Sequence, residues 1–152
     1  MRSQKVLLID DSAFTRRLIR GMLKDLGFAS ISEAPNGAVA EKLLRTHRFD
    51  VILVDWRMPT QDGATFLTNL RASSNAQTAM TPVIVISAHV DLSLLEKAAE
   101  LGARSVVVKP FSVSVLKSHV DAVTGVAEQP RGVPPEPLPP VVEEDPFEVV
   151  YL

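Results

Sequence analysis

Five short apolar runs, separated by longer amphipathic stretches, set the pattern of this chain. Most of the runs are rich in Val and Ile and stay apolar at consecutive positions, which is typical of strands covered on both faces of a parallel sheet. They occupy residues 5–10, 29–33, 51–55, 82–87 and 105–109. We therefore predict five parallel strands.

The stretches between these runs predict helices. Leu18 and Met22, for example, lie at helical spacing on one face of the first stretch. Gly27 and Gly102 stand where two helices would end in a left-handed cap, and Asn-Gly at residues 36–37 marks a turn before another helix. Five strands that alternate with five helices predict an α/β fold, a (βα)5 doubly wound sandwich.

The last 27 residues break this alternation. Seven of the eleven prolines lie between Pro130 and Pro146, which predicts an extended, partly polyproline linker. The chain then ends in the apolar segment FEVVYL. This segment could dock as an added strand or an anchored peptide, on its own domain or on a partner, or it could be a disordered terminus. We divide the chain into a domain at residues 1–125 and a tail at residues 126–152.

Composition limits the class of protein. A chain of 152 residues with 46% apolar residues is long enough for one domain with a core. Residues 1–125 carry a net charge of +3 and residues 126–152 one of −5, so the domain lacks the basic footprint of a nucleic acid binder. The chain contains no cysteine, and its first residues resemble neither a signal peptide nor a membrane span. We expect a cytoplasmic protein.

Carboxylates follow two of the predicted strands. Asp10 and Asp11 end the first strand, and Asp55 ends the third. In an open α/β sheet of order 2-1-3-4-5 these two strand ends flank the switch point where ligands bind. Three carboxylates would repel one another there unless a cation neutralised them, and oxygen ligands suit Mg²⁺. We predict a magnesium site at this position.

The fourth and fifth strands end in Ser87 and Lys109. A hydroxyl group, an ammonium group and three carboxylates around a hard cation form a site for a phosphoryl group. Asp55 is the best candidate for a nucleophile, because it stands alone at the tip of a central strand. The other two carboxylates would then hold the metal.

Taken together, these motifs resemble the receiver domain of two-component response regulators, over about residues 4–124. The resemblance implies a flavodoxin-like fold with a parallel five-stranded sheet of order 2-1-3-4-5. It also implies a single-domain response regulator similar to the chemotaxis regulators. The matching motifs are Asp10-Asp11, Asp55-Trp56-Arg57-Met58-Pro59 with Asp62-Gly63, Ser87-Ala88, and Lys109-Pro110-Phe111.

The same resemblance implies a role for each site residue. Asp55 would accept a phosphoryl group from a phosphohistidine on a sensor histidine kinase or a histidine phosphotransfer protein. Asp55, Asp11 and the backbone carbonyl of Arg57 would bind Mg²⁺ directly, and Asp10 would do so largely through water. Ser87 would contact the phosphoryl oxygens.

Lys109 would also contact these oxygens, and the resemblance implies a cis peptide bond between Lys109 and Pro110. One position departs from the family pattern. Receiver domains often carry an aromatic residue three positions before the lysine, where this chain has Val106. We therefore expect the output to depend on shifts of the loop and helix near residues 89–95.

Arg57 and His89 lie two residues beyond Asp55 and Ser87, so both should rim the site. Trp56 and Ala88, which directly follow the same two residues, are expected to modulate it. We hypothesise that Arg57 slows hydrolysis of the acyl phosphate by covering it. His89 is equally consistent with an exposed loop residue. Trp56 is the only tryptophan, so its fluorescence should report on the site.

A basic stripe marks the first predicted helix, where Arg16, Arg20 and Lys24 recur every four residues. This stripe is either a solvated face or, by the family analogy, part of the surface that docks the phosphodonor. In the second case Phe14 and Leu18 would supply apolar contacts.

The tail is too short and too rich in proline to form an output domain. We therefore expect a response regulator that acts on a downstream protein target or passes phosphate along a relay, and not a dedicated metabolic enzyme. A phosphorylation-independent adaptor is one alternative. Another is an Mg²⁺-dependent phosphohydrolase of the haloacid-dehalogenase type. That family places its nucleophile after the first strand in a DxD pattern, whereas here the first strand ends Asp10-Asp11-Ser12.

Overall fold

One six-stranded sheet runs through the molecule, whose computed structural model describes residues 2–59, 61–125 and 149–151. The strands lie in the order β2-β1-β3-β4-β5-β6. The first five pair in parallel, which confirms the predicted order 2-1-3-4-5. The strand bounds are β1 (Arg2–Ile9), β2 (Phe28–Ala34), β3 (Val51–Asp55), β4 (Val83–Ser87), β5 (Ser105–Val108) and β6 (Val149–Tyr151).

Helices follow each of the first five strands. Their bounds are α1 (Ala13–Asp25), α2 (Gly37–Thr46), α3 (Gly63–Arg71), α4 (Ala76–Ala79), α5 (Leu92–Glu100) and α6 (Val113–Thr124). The four-residue α4 adds to the five helices predicted. Gly27 and Gly102 have φ values of 95° and 84°, so both adopt the left-handed conformation expected where a helix ends.

The core lies in two layers, one on each face of the sheet. In β3, Ile52 and Val54 pack with α2, α3 and α5 on one face, whereas Val51 and Leu53 pack with α1 and α6 on the other. All five residues of β3 are buried. Burial of each large apolar side chain contributes about 1.5–3 kcal/mol. The strand is therefore held firmly in the core, and this fixes the position of Asp55 at its end.

The sixth strand comes from the tail and runs antiparallel to β5. Val150 lies opposite Val106, and Tyr151 lies opposite Ser105. The final segment therefore adds a strand to its own domain, which is one of the arrangements left open by the sequence. The polyproline linker predicted between Pro130 and Pro146 lies outside the described residues. None of the helices in the described ranges is long and apolar enough to cross a membrane.

Candidate functional site

The ends of β1 and β3 bring three carboxylates together. Ile9 pairs with Val54 across these strands, which sets Asp10 beside Asp55. Asp10 and Asp55 are 1% and 6% exposed, while Asp11 is exposed. One carboxylate oxygen from each of the three lies within 4.8 Å of the others. Such a group of oxygen atoms has the chemistry of a divalent cation site.

Lys109 places an ammonium group against two of these carboxylates. It follows β5 directly, and its Nζ lies 3.0 Å from Asp10 Oδ2 and 3.4 Å from Asp55 Oδ1. Asp10 Oδ1 also accepts a hydrogen bond of 2.9 Å from the backbone N–H of Ser12. One ammonium group does not balance three carboxylates, so the site retains an affinity for further positive charge.

Burial dominates the electrostatics of Asp55. Desolvation raises the pKa of its carboxyl group to about 6, although the charge of Lys109 acts in the opposite direction. The negative charge of Asp10 adds to the rise, and a hydrogen bond from the backbone of Arg57 opposes it. Ionisation of Asp55 in the folded domain therefore costs free energy, and a bound cation would reduce that cost.

Ser87 ends β4 at the same edge of the sheet and is fully buried. Its hydroxyl donates a 2.8 Å hydrogen bond to the carbonyl oxygen of His89 and accepts one of 3.3 Å from the His89 N–H. The hydroxyl is thus engaged with the following loop. The backbone N–H of Lys109 donates to the Ser87 carbonyl at 2.8 Å, and the Lys109–Pro110 bond is cis, as expected.

An open groove of about 570 Å³ borders the carboxylates. Its lining residues are Asp11, Trp56, Arg57, Met58, Pro59 and Asp62. Trp56 is half-buried and Arg57 is exposed, while Ala88 and His89 are exposed in the loop after β4. Val106 is fully buried and belongs to the core layer that contains α5. The position that is often aromatic in receiver domains is therefore an ordinary core position here.

Gly63 holds the loop that carries Trp56 and Arg57. Its N–H donates a 2.8 Å hydrogen bond to the Trp56 carbonyl. A Cβ atom at this position would lie 2.9 Å from the Trp56 Cα atom and 3.1 Å from the Asp55 carbonyl oxygen. Because these neighbours are backbone atoms, only glycine allows α3 to approach this closely.

Arg16 makes a contact beside the site that the sequence did not predict. Its Nη1 donates a 2.6 Å hydrogen bond to the Asp10 carbonyl, and its Nε lies 3.2 Å from Glu33. Arg20 contacts the same carboxylate at 3.1 Å. Two members of the basic stripe thus brace β1 and β2. The sequence feature that could have indicated this contact is Glu33, the only charged residue in β2.

The remaining part of α1 presents apolar side chains to solvent. Phe14 and Leu18 are 67% and 51% exposed, and Lys24, further along the same helix, is also exposed. These positions are compatible with the predicted docking surface for a phosphodonor. Their role stays a prediction.

Comparison with known proteins identifies the family. The family model of the response regulator receiver domain matches residues 6–121. The chain belongs to this family. Its receiver domain is 34% identical over 122 residues to the chemotaxis protein CheY-3 of Vibrio cholerae, a match that covers 80% of this chain and 92% of that protein.

Solved structures confirm the fold of this receiver domain. The chemotaxis protein CheY4 of Vibrio cholerae, crystallised at pH 4.0, superposes with a TM-score of 0.75 at 30% identity, covering 80% of this chain and 99% of that one. The receiver domain of a sensor histidine kinase from Pseudomonas aeruginosa superposes with a TM-score of 0.73 at 26% identity, covering 82% and 99%. That structure contains a magnesium ion coordinated in its active site cleft.

Proposed function

We propose that this chain is a response regulator that accepts a phosphoryl group on Asp55. The donor would be a phosphohistidine of a sensor histidine kinase or a histidine phosphotransfer protein. The observation that carries the proposal is the convergence of three carboxylates and the Lys109 ammonium group at the ends of β1, β3 and β5. The phosphoryl group would be taken up once per chain and then hydrolysed slowly, which makes the protein a switch and not a metabolic enzyme.

In the transfer step, an Asp55 carboxylate oxygen attacks phosphorus. The P–N bond to the histidine breaks, its electron pair stays on the imidazole nitrogen, and an acyl phosphate forms on Asp55. A pKa of about 6 leaves the nucleophilic carboxylate form predominant at pH 7. Lys109 lies 3.4 Å from Asp55, so a short movement of its Nζ would compensate charge on the phosphoryl oxygens.

The same residues fit a magnesium ion. Asp10, Asp11 and Asp55 offer oxygen atoms within 4.8 Å of one another, and the Arg57 carbonyl would complete the protein ligands. When bound, Mg²⁺ would neutralise charge shared by the phosphoryl oxygens and the carboxylates. The magnesium ion in the Pseudomonas aeruginosa receiver domain supports this assignment.

Ser87 would join the phosphorylated site by turning its hydroxyl away from the His89 carbonyl. This rotation would break the 2.8 Å hydrogen bond that now ties Ser87 to the loop after β4. Because that loop leads into α5, phosphorylation would alter the surface that the loop and helix present to a protein target or relay partner. This route does not require an aromatic residue at Val106.

Phosphorylation of the full-length chain by acetyl phosphate tests the proposal. With Mg²⁺ present, intact mass spectrometry should show the addition of one phosphoryl group. No addition should occur when EDTA removes the metal before acetyl phosphate is added. Asp55→Asn should abolish the addition. Asp25→Asn, at the exposed end of α1, should leave it unchanged. Equal labelling of Asp55→Asn and the wild-type chain would show that the acceptor is a different residue.

The same preparation separates the alternatives. A phosphorylation-independent adaptor would remain unlabelled, and a phosphohydrolase would release phosphate from p-nitrophenyl phosphate over many turnovers. The division into a receiver domain at residues 1–125 and a tail at residues 126–152 stays a prediction. The cytoplasmic location also stays a prediction.

A further inference from the structure

The outer edge of β5 is a surface built almost entirely from backbone. The side chains of Val106 and Val107 are fully buried and belong to opposite core layers. On its inner side β5 pairs with β4 over four positions, and on its outer side it pairs with β6 over three. Edge strands present unpaired N–H and C=O groups that accept an extended peptide.

We propose that this edge is a binding site for an extended apolar peptide, that the chain fills it with its own residues 149–151, and that phosphorylation of Asp55 releases them. The release rests on the function proposed above. Binding of β6 to the edge of β5 does not, because it concerns the unphosphorylated chain.

The segment that occupies the edge has the chemistry of an added strand. It contains two valines followed by the only tyrosine in the chain, and β-branched and aromatic residues favour strands. Three paired positions are few for a separate peptide, because backbone pairing must offset the entropy of ordering the segment. Residues 126–148 connect the strand to α6 and make the pairing intramolecular. A connection within one chain raises the effective concentration of the segment to the order of millimolar, so pairing with an intrinsic Kd of about 0.1 mM would keep the edge about nine-tenths filled.

The phosphoryl site lies at one end of the same strand. Lys109 follows β5 directly, and Ser87 pairs with Val108 at its last position. Both side chains would contact the phosphoryl group, yet here Lys109 contacts Asp10 and Asp55, and Ser87 contacts His89. The conformation that binds β6 is therefore the one that suits an unphosphorylated site.

Coupling follows from that difference. If β6 binds the unphosphorylated domain more tightly, phosphorylation must weaken the binding of β6. Linkage makes this weakening equal to the factor by which bound β6 disfavours phosphorylation. The movement is local, because β6 pairs with Ser105–Val107 and the next two residues lead to the Lys109 side chain. Release would expose the β5 edge to extended segments of other proteins.

Proline substitutions in the full-length chain test the occupied edge. Val149→Pro/Val150→Pro removes backbone donors from β6, and Val141→Pro/Val142→Pro makes the same change at the other Val-Val pair of the tail. Consecutive N–H groups of a strand point to opposite neighbours, so the amide of either Val106 or Val107 faces β6. In the first variant we expect hydrogen exchange at that amide, measured by NMR, to accelerate about tenfold or more.

The same variant should bind the synthetic peptide FEVVYL at β5, at least about tenfold more tightly than the wild-type chain, whose edge is already filled. The Val141→Pro/Val142→Pro control should match the wild-type chain in both measurements. If either the exchange rate or the peptide affinity is the same in the two proline variants, the proposed site is overturned.

Phosphorylation tests the release. In wild-type chains labelled with acetyl phosphate and Mg²⁺, exchange at the same amide should accelerate about tenfold, with no acceleration in Asp55→Asn under identical conditions. Labelling without a change in exchange would overturn the release and leave the proposed function intact. Failure of Asp55 to label would overturn both, while the peptide measurement would still decide whether β6 occupies a binding site.

Discussion

Asp55 is kept in an unfavourable ionisation state when its site holds no ligand. Burial raises the pKa of its carboxyl group to about 6, even though Lys109 lies 3.4 Å away. In the unfolded chain the group would ionise near its ordinary value of 3.8. The folded domain therefore loses stability on ionisation, and the loss is complete only above about pH 6.

Asp55→Asn should remove this loss. In EDTA at pH 7 we expect the free energy of unfolding to rise by about 1 kcal/mol. This value is smaller than the energy that corresponds to the full pKa shift, because solvent screens part of the charge. Below pH 4 the variant and the wild-type chain should converge, since the carboxyl group is then protonated in both states. Urea unfolding at the two pH values measures the difference, with Asp25→Asn as control. A variant less stable than the wild-type chain at pH 7 would contradict the account.

Arg57 makes a second prediction at the residue scale. Its exposed side chain lines the groove that also contains Asp11 and Trp56, where it could cover a phosphoryl group on Asp55. Arg57→Ala should therefore hydrolyse its acyl phosphate several-fold faster, and Arg57→Lys should lie between the two because it retains charge and most of the length. Decay of the phosphorylated mass after removal of acetyl phosphate gives the rates. Equal rates in all three proteins would refute the role.

At the scale of elements, a buried histidine joins α6 to β5. His119 Nδ1 lies 2.7 Å from the Ser105 hydroxyl oxygen, and the side chain is 1% exposed. Burial lowers the pKa of His119 to about 4, so the ring is neutral in the folded domain at pH 7. The contact supports the start of the strand whose far end carries Lys109.

This histidine predicts how stability depends on pH. Its folded pKa of about 4 lies below the ordinary value of 6.5, so the unfolded chain takes up a proton first as the pH falls. The contribution of the neutral His119 ring to the free energy of unfolding is complete above about pH 6.5. As the pH falls from 6.5 to 4, this free energy decreases by roughly 3 kcal/mol. His119→Gln should flatten this part of the curve, whatever its stability at pH 7. The exposed His47 supplies the control His47→Gln, and an unchanged slope in His119→Gln would refute the assignment.

Arg71 performs a similar joining role on the other face of the sheet. Its guanidinium group donates hydrogen bonds of 2.8 Å to the carbonyl oxygens of Ala79, Thr81 and Gly102, and one of 3.3 Å to that of Leu101. These carbonyls belong to the connections that lead into β4 and β5. One side chain at the end of α3 therefore aligns the entry of two strands whose other ends reach the phosphoryl site.

For the whole molecule, the sequence predicted the elements that obey general rules. Residues 51–55 form a buried strand because consecutive apolar β-branched residues suit a parallel sheet covered on both faces. The rule that ligands bind at the switch point also predicted that Asp10, Asp11 and Asp55 lie close together, as they do. Family resemblance supplied the cis bond before Pro110, which no pattern of polarity encodes.

Features that depend on particular tertiary contacts could not be predicted. The four-residue α4 is too short to show helical periodicity. The contact of Arg16 with Asp10 and Glu33 depends on how α1 sits against β1 and β2. The tail segment was visible as an apolar end, but any unpaired strand edge offers the same backbone groups, so the choice of β5 required the structure.

The position of β6 also gives the chain an intrinsic pair of fluorophores. Tyr151, the only tyrosine, belongs to the strand beside β5, and Trp56, the only tryptophan, follows the carboxylate at the end of β3. Light absorbed by the tyrosine can be emitted by the tryptophan only when the two rings are close. Energy transfer between them can therefore follow the distance from the tail strand to the phosphoryl site, in real time and in an unlabelled chain.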